Sequence, residues 1–394
     1  MPCQPYYDFL IVGAGFSGAT LAERLASQGR TVLIIDKRPH IGGNCYDYID
    51  EETGIRVSKY GPHFFHTNDE GVWNYVNGFG PWIRHDQKVI AELGHKYVPV
   101  PVNQETLNKI FNTNLNGTQE VKEFLATKQI QPEQEPTNSE EVALQRMGRG
   151  LYEAIFRPYT LKQWAKDPSE LDASVLARIP VRDDNDCRYF TDKYQALPEE
   201  GYTSIFKKML ANPKITRILN TDYMGMKDVF QYGQIIFTGR IDSYFTGLPL
   251  LEYRSLIFEP RRYICEGFKQ RNSVVNYPSA DTPYTRSIEY KWFPNCPDTP
   301  LSRSNSIVVY ETSCDYDPKT NEEPYYPVPA PKNQALYEQY KALATEANAG
   351  NTAHKVHFIG RLASYKYFNM DQAIRASLDY FKEHFANNET KCIY

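Results

Sequence analysis

The stretch DFLIVGAGFSGATLAERL, Asp8 to Leu25, decides the fold. An apolar run over 8–13 ends in glycine, and Gly13, Gly15 and Gly18 complete the spacing GxGxxG. Ala19, Leu21, Ala22, Leu25 and Ala26 then recur with helical period until Gly29 stops them. TVLIID, 31–36, is a second apolar run closed by an acid. Strand, glycine turn, helix, strand and acid in this register predict a βαβ unit built to hold a dinucleotide. The glycines allow a tight turn and close backbone approach, the helix N-terminus faces a pyrophosphate, and Asp36 takes ribose hydroxyls.

The far end of the chain supplies the partner segments. VHFIG, 356–360, reads as a strand, and Asn369 caps a helix whose Ala373, Ile374, Leu378, Phe381 and Phe385 share one face, with Gln372 at the capping-box position. A sheet with pieces at both ends of a chain must carry the rest as insertions. Residues 103–178 read as helices broken by polar segments such as 129–141, and 245–330 as antiparallel strands. GYTSIFKKML, 201–210, reads as a helix, and QIIFTG, 234–239, as another buried strand of the nucleotide domain.

The totals narrow the function. A chain of 394 residues holds two or three packed units. Its net charge of −4, without a long block of either sign, gives no footprint for nucleic acid or an anionic membrane. No apolar run approaches the roughly 20 residues of a membrane span, and the N-terminus lacks a secretory pattern, so a cytoplasmic location is expected. Seven cysteines, at 3, 45, 187, 265, 296, 314 and 392, show no CxxC spacing and suit reduced thiols. His63 and His66 form HxxH without further ligands, so no metal site is expected. Ser17 is displaced by one position from a nucleophile elbow.

The cofactor follows from DKRPHIGGN, 36–44, whose second glycine pair brings backbone up to the cofactor again and favours FAD over a nicotinamide dinucleotide. Together with YGPHFFHTN (60–68), YTLKQW (159–164), RIPVR (178–182), RYFTDKYQALPEEGYT (188–203), EYRSL (252–256), PYTRSIE (283–289), EPYYPV (323–328) and GRLASYKYFNMDQ (360–372), this segment resembles the UDP-galactopyranose mutases over nearly the whole chain. The resemblance implies an α/β protein in which a Rossmann-like FAD-binding domain carries an inserted helical domain and a twisted antiparallel β-sheet domain. The FAD domain is expected at 1–82, 196–245 and 340–394. The helical insertion, with a mobile substrate loop, is expected at 103–182, and the sheet domain at 83–102, 183–195 and 246–339.

The residues make chemical sense in such a family. Arg182 and Arg286 are expected to fork onto a diphosphate, each charge-assisted bond being worth about 1.5–3 kcal/mol. Tyr326 and Tyr367 match family positions that add hydroxyl donors, and Phe156, Tyr159, Thr160, Trp164, Tyr194 and Asn276 fall where relatives hold the nucleotide. Arg361 and Asn369 are expected to face both ligands. His63 and His66 are expected beside the flavin ring, and Arg182, Arg286, His63, His66 and Tyr326 form the expected catalytic set. The expected FAD contacts are Gly13, Gly15, Phe16, Ser17, Gly18, Asp36, Lys37, Arg38, Gly43, Asn44, Tyr60, His63, Leu219, Arg361, Asn369 and Met370.

The implied activity is interconversion of UDP-galactopyranose and UDP-galactofuranose, feeding cell-surface polysaccharide synthesis. It proceeds without net redox, N5 of reduced FAD acting as nucleophile at the anomeric carbon. NAD(P)H or another reductant would be a transient partner, and a homo-oligomer is expected because relatives are usually oligomeric. Three departures stand out. DDNDC after Arg182 is unusually acidic, Ile155 replaces an aromatic beside Phe156, and 311–324 is long for the family. The alternatives are an amine-oxidase-like FAD oxidoreductase, a mutase for UDP-N-acetylgalactosamine or a dTDP-deoxysugar, and a flavin-binding protein without catalysis.

Overall fold

The computed structural model describes residues 5–226, 229–320, 323–349 and 354–386. Its nucleotide-binding layer is a five-stranded parallel sheet in the order Ile215–Ile218, Val32–Ile35, Tyr6–Val12, Gln231–Phe237, Val356–Phe358. All four residues of Val32–Ile35 are buried, as a parallel strand covered on both faces requires. Phe9 and Ile11 enter the main core while Leu10 enters a separate cluster with Leu33, Tyr223 and Phe237. The period-two alternation thus serves two apolar layers rather than one layer and solvent. Helices Phe16–Ser27 and Met370–His384 pack against each other over this sheet, so the first and last described helices form one layer.

A seven-stranded sheet forms the second body, in the order Tyr326–Pro327, Tyr253–Tyr263, Ser306–Asp315, Arg286–Glu289, Val274–Asn276, Val89–Leu93, Lys96–Pro99. The expectation of a purely antiparallel sheet needs one correction: Val274–Asn276 runs parallel to Val89–Leu93. Those strands are separated by some 180 residues, which include the whole helical region, so the chain has room to re-enter in the same direction. A third, three-stranded sheet joins Phe65–Thr67, Tyr194–Pro198 and Trp82–Arg84. Its central strand runs across the expected domain boundary at 195/196.

The helical region comprises Gln104–Phe111, Thr118–Lys128, Ser139–Leu151, Arg157–Trp164 and Ser174–Ala177. Asn103 and Asn138 cap two of these, each accepting from a backbone N–H three residues on, at 2.9 and 3.0 Å. Gly148 breaks the third with φ +76°; a Cβ there would lie 2.2 Å from the Lys128 carbonyl oxygen. A π-turn at Tyr152–Phe156 then leads into Arg157–Trp164. The C-terminal end of that last helix is fastened to the large sheet. Arg254, buried, donates Nε–H to the Gln163 carbonyl at 3.0 Å, and the Ser313 hydroxyl donates to the same oxygen at 2.6 Å. Among the described residues no helix is long and apolar enough to cross a membrane.

Candidate active site

Two cavities meet where the three bodies join. The first, of about 400 Å³, opens at the C-terminal ends of the parallel strands. Gly13, Gly15, Phe16, Ser17, Asp36, Lys37, Arg38, Gly43 and Asn44 line it. The two glycine motifs touch: Gly43 has φ +55°, and a Cβ on it would stand 2.9 Å from the Gly15 Cα. That close approach leaves backbone, not side chains, facing the cavity, which suits a pyrophosphate. Gly18 lies outside the wall. A Cβ there would collide with the Gly13 carbonyl at 1.9 Å, so its role is packing of helix on strand. The Asp36 carboxylate accepts from Ala14 N–H at 2.8 Å and Arg38 N–H at 2.9 Å, which fixes its orientation toward the cavity.

The second cavity, of about 470 Å³, lies between the helical region and the large sheet. Phe156, Tyr159, Thr160 and Trp164 approach from the helices, and Asn276, Arg286 and Tyr326 from the sheet. Tyr326 and Tyr367 stack with centroids 5.5 Å apart at 16°. The Arg178 and Arg361 guanidiniums lie 4.8 and 5.1 Å from the Tyr367 ring centroid. Burial works to raise the Tyr367 phenol, but these two cations outweigh it and hold the group below the usual phenol range. Neither arginine has a carboxylate partner within 4 Å among the described residues. Arg286 differs. It donates to the buried Glu311 carboxylate at 2.8 and 2.9 Å, and that partner keeps it protonated against the cost of burial.

Asn44, His63, Arg361, Asn369 and Met370 line both cavities, so a ligand in one meets a ligand in the other at this group. His63 is half-buried, and desolvation together with the nearby Arg361 pushes its pKa down to about 4. Its Nδ1 sits 2.9 Å from the Gly61 carbonyl, an acceptor only, so the ring is neutral, protonated at Nδ1, with its lone pair on Nε2. Asn369 begins the helix Met370–His384, its own N–H donating to Gln372 Oε1 at 3.0 Å. The positive end of that helix dipole therefore stands at the junction. His66 lies in the second cavity only, stacked 3.7 Å from Phe190, with Nδ1 donating to Asp192 at 3.1 Å.

Comparison with known proteins bears on this geometry. A family model described as UDP-galactopyranose mutase matches residues 154–367, and an NAD(P)-binding Rossmann-like model matches 11–79. A dTDP-fucopyranose mutase of Escherichia coli is 38% identical over 389 residues, covering 96% of this chain and 99% of its own. A probable UDP-galactopyranose mutase of Klebsiella pneumoniae is 37% identical, covering 98% of each.

The chain belongs to the UDP-galactopyranose mutase family.

Among solved structures, reduced UDP-galactopyranose mutase superposes with a TM-score of 0.73 at 16% identity, covering 98% of this chain and 95% of that one. A putrescine oxidase superposes at 0.57 and 12% identity, covering 97% and 100%, so the fold is shared with that oxidase. As a family member the protein is a flavoprotein isomerase, and the glycine-lined cavity of its Rossmann-like domain is the candidate site for FAD.

Several expected site residues prove to lie elsewhere. Arg182 does not line the second cavity. Its side chain, 10% exposed, turns to the Asp186 carbonyl at 2.8 Å, and Arg178 at the other end of RIPVR takes the cavity position. Tyr194 stacks on Trp73 at 5.0 Å and 10°, away from both cavities, while Tyr189 and Phe190 line the wall. Tyr60 borders the second cavity instead of the FAD site, its hydroxyl 2.7 Å from His40 Nε2. Leu219 packs against the core, and the cofactor wall begins two residues later at Thr221. Glu311 and Glu323, the latter paired with Lys37 and Arg38, were not anticipated. One signal was present: the acids following Arg182 offer that arginine partners within four positions, whereas Arg178 has no acid within four positions on either side.

Proposed function

We propose that the protein interconverts the pyranose and furanose forms of a galactose-type sugar nucleotide, with UDP-galactopyranose as substrate. The observation that carries this reading is the shared wall of the two cavities, which sets a sugar-nucleotide pocket against a flavin pocket with three guanidiniums close by. In this reading Phe156, Tyr159 and Trp164 hold the base and Asn276 reads its edge. Arg178, Arg286 and Arg361 hold the diphosphate and stabilise the charge that develops as it departs from the sugar. Their fixed positions cost no reorganisation when that charge appears. FAD, when bound and reduced, would supply a nucleophile toward the anomeric carbon, and the sugar would keep its oxidation state. His63, neutral and oriented by Gly61, accepts a hydrogen bond or proton at Nε2 at the junction. The N-terminus of the helix starting at Asn369 would favour negative charge on a cofactor held at the junction.

A second reading has its own observation. The dTDP-fucopyranose mutase relative is as similar as the UDP-galactopyranose one, so a dTDP-6-deoxysugar is the competing substrate. Product chromatography from UDP-galactofuranose and dTDP-fucofuranose, each with and without dithionite, separates the two. UDP-galactofuranose should be the better substrate and should turn over only after reduction. Equal turnover with oxidised flavin removes the proposed chemistry, and faster turnover of the dTDP-sugar removes the proposed substrate.

A further inference from the structure

Lys162 lies on the helix Arg157–Trp164 between Thr160 and Gln163 but is absent from the cavity wall. Its ammonium is enclosed by the segment 277–284. It donates to the carbonyls of Tyr277 at 2.6 Å, Ser279 at 2.6 Å and Tyr284 at 2.8 Å, with Thr282 Oγ1 at 3.5 Å. Three N–H bonds thus meet three carbonyls, and no carboxylate lies within 4 Å among the described residues. Partial burial pushes the ammonium down to about 8.

The enclosing segment is the turn of a hairpin. Its two strands, Val274–Asn276 and Arg286–Glu289, end with Asn276 and Arg286 directly opposite each other at the mouth. Both line the cavity. Lys162 therefore joins the element carrying Tyr159, Thr160 and Trp164 to the element carrying Asn276 and Arg286. The Arg254 and Ser313 bonds to Gln163 anchor the same helix to Tyr253–Tyr263 and to Ser306–Asp315, the strand paired with Arg286–Glu289, whereas Lys162 grips the hairpin at its turn.

We propose that Lys162 is a positioning residue. By filling the 277–284 turn it holds the aromatic helix and Arg286 at the one separation that a nucleoside diphosphate spans. The inference rests on the sugar-nucleotide reading of the cavity. A ligand bridging both elements should feel its loss, and a ligand occupying only the aromatic end should not.

The test is binding of UDP, dTDP, uridine and thymidine to the flavin-loaded wild type and Lys162→Met. The nucleoside diphosphate should weaken by about tenfold, the equivalent of one charge-assisted bond, and the nucleoside by less than about threefold. In an Arg286→Ala background, Lys162→Met should cost the diphosphate no more than it costs the nucleoside, because the far anchor is gone. Equal weakening of both ligand types, or none, overturns the inference and leaves Lys162 as fold support only. Should Lys162→Met fail to retain flavin, Lys162→Gln, which keeps one amide donor, is measured in the same way. A wild type that binds neither diphosphate overturns the reading of the site and the inference with it.

Discussion

Arg178 and Arg182 stand four positions apart in one short segment, yet one lines the cavity and the other holds a loop carbonyl. Arg178→Ala should lower kcat/KM by roughly 100-fold, the loss of one or two charge-assisted bonds, while Arg182→Ala should cost less than about tenfold. Steady-state kinetics on reduced protein checks the pair, and the reverse order would restore Arg182 to the site. His63 makes a prediction with a defined sign. Its folded pKa, about 4, is below the ordinary imidazole value near 6.5. Its contribution is therefore whole above about 6.5 and is lost as pH falls toward about 4, where the unfolded chain binds the extra proton. Denaturant titrations at several pH values should show a shallower acid-side loss of stability for His63→Gln than for wild type. Residue roles of this sort were only half legible. Glu311 neutralises Arg286 across a strand pairing from 25 positions away, and no spacing rule announces that register.

At the scale of elements, the glycine turn was readable because backbone geometry leaves no other residue type for it. The contact between Gly15 and Gly43 extends that requirement to a second motif, which the chain brings back from beyond the next strand. Gly43→Ala would need both a left-handed φ and a displaced turn. It should give folded protein with little or no bound flavin, visible in the absorbance spectrum, and full flavin occupancy would contradict that placement. The π-turn at Tyr152–Phe156 had no such signature. Its residues read as ordinary helix, and only packing against the large sheet selects the wider turn that presents Ile155 and Phe156 to the cavity. Tyr194, expected at the nucleotide, lies off the cavity wall and Tyr189 on it for a related reason. Both follow a loop whose course depends on Asp184 and Asp186 accepting backbone and arginine donors, bonds that are invisible until the loop is built.

The whole molecule is assembled from pieces far apart in sequence. The parallel sheet takes strands from 6–12, 32–35, 215–218, 231–237 and 356–358, so no contiguous half of the chain contains the FAD site. A chain stopped after residue 349 should lack the strand Val356–Phe358 and the helix Met370–His384, and should be recovered without flavin. Flavin-bound truncated protein would show that the edge strand is dispensable. The discontinuous plan could be read because its two ends each carry a complete signature, a glycine cradle and a capped amphipathic helix. The parallel step in the large sheet could not, since apolar alternation is the same in either strand direction.

Arg178 and Arg361 flank one tyrosine ring without a carboxylate of their own, and that arrangement sets working competence against heat resistance. Two like charges kept in place for an incoming dianion repel each other until it arrives. Arg178→Met, which can still cover the ring face, should therefore melt at a higher temperature than the parent when no nucleotide is present. Adding UDP should close or invert that gap by tightening the parent more.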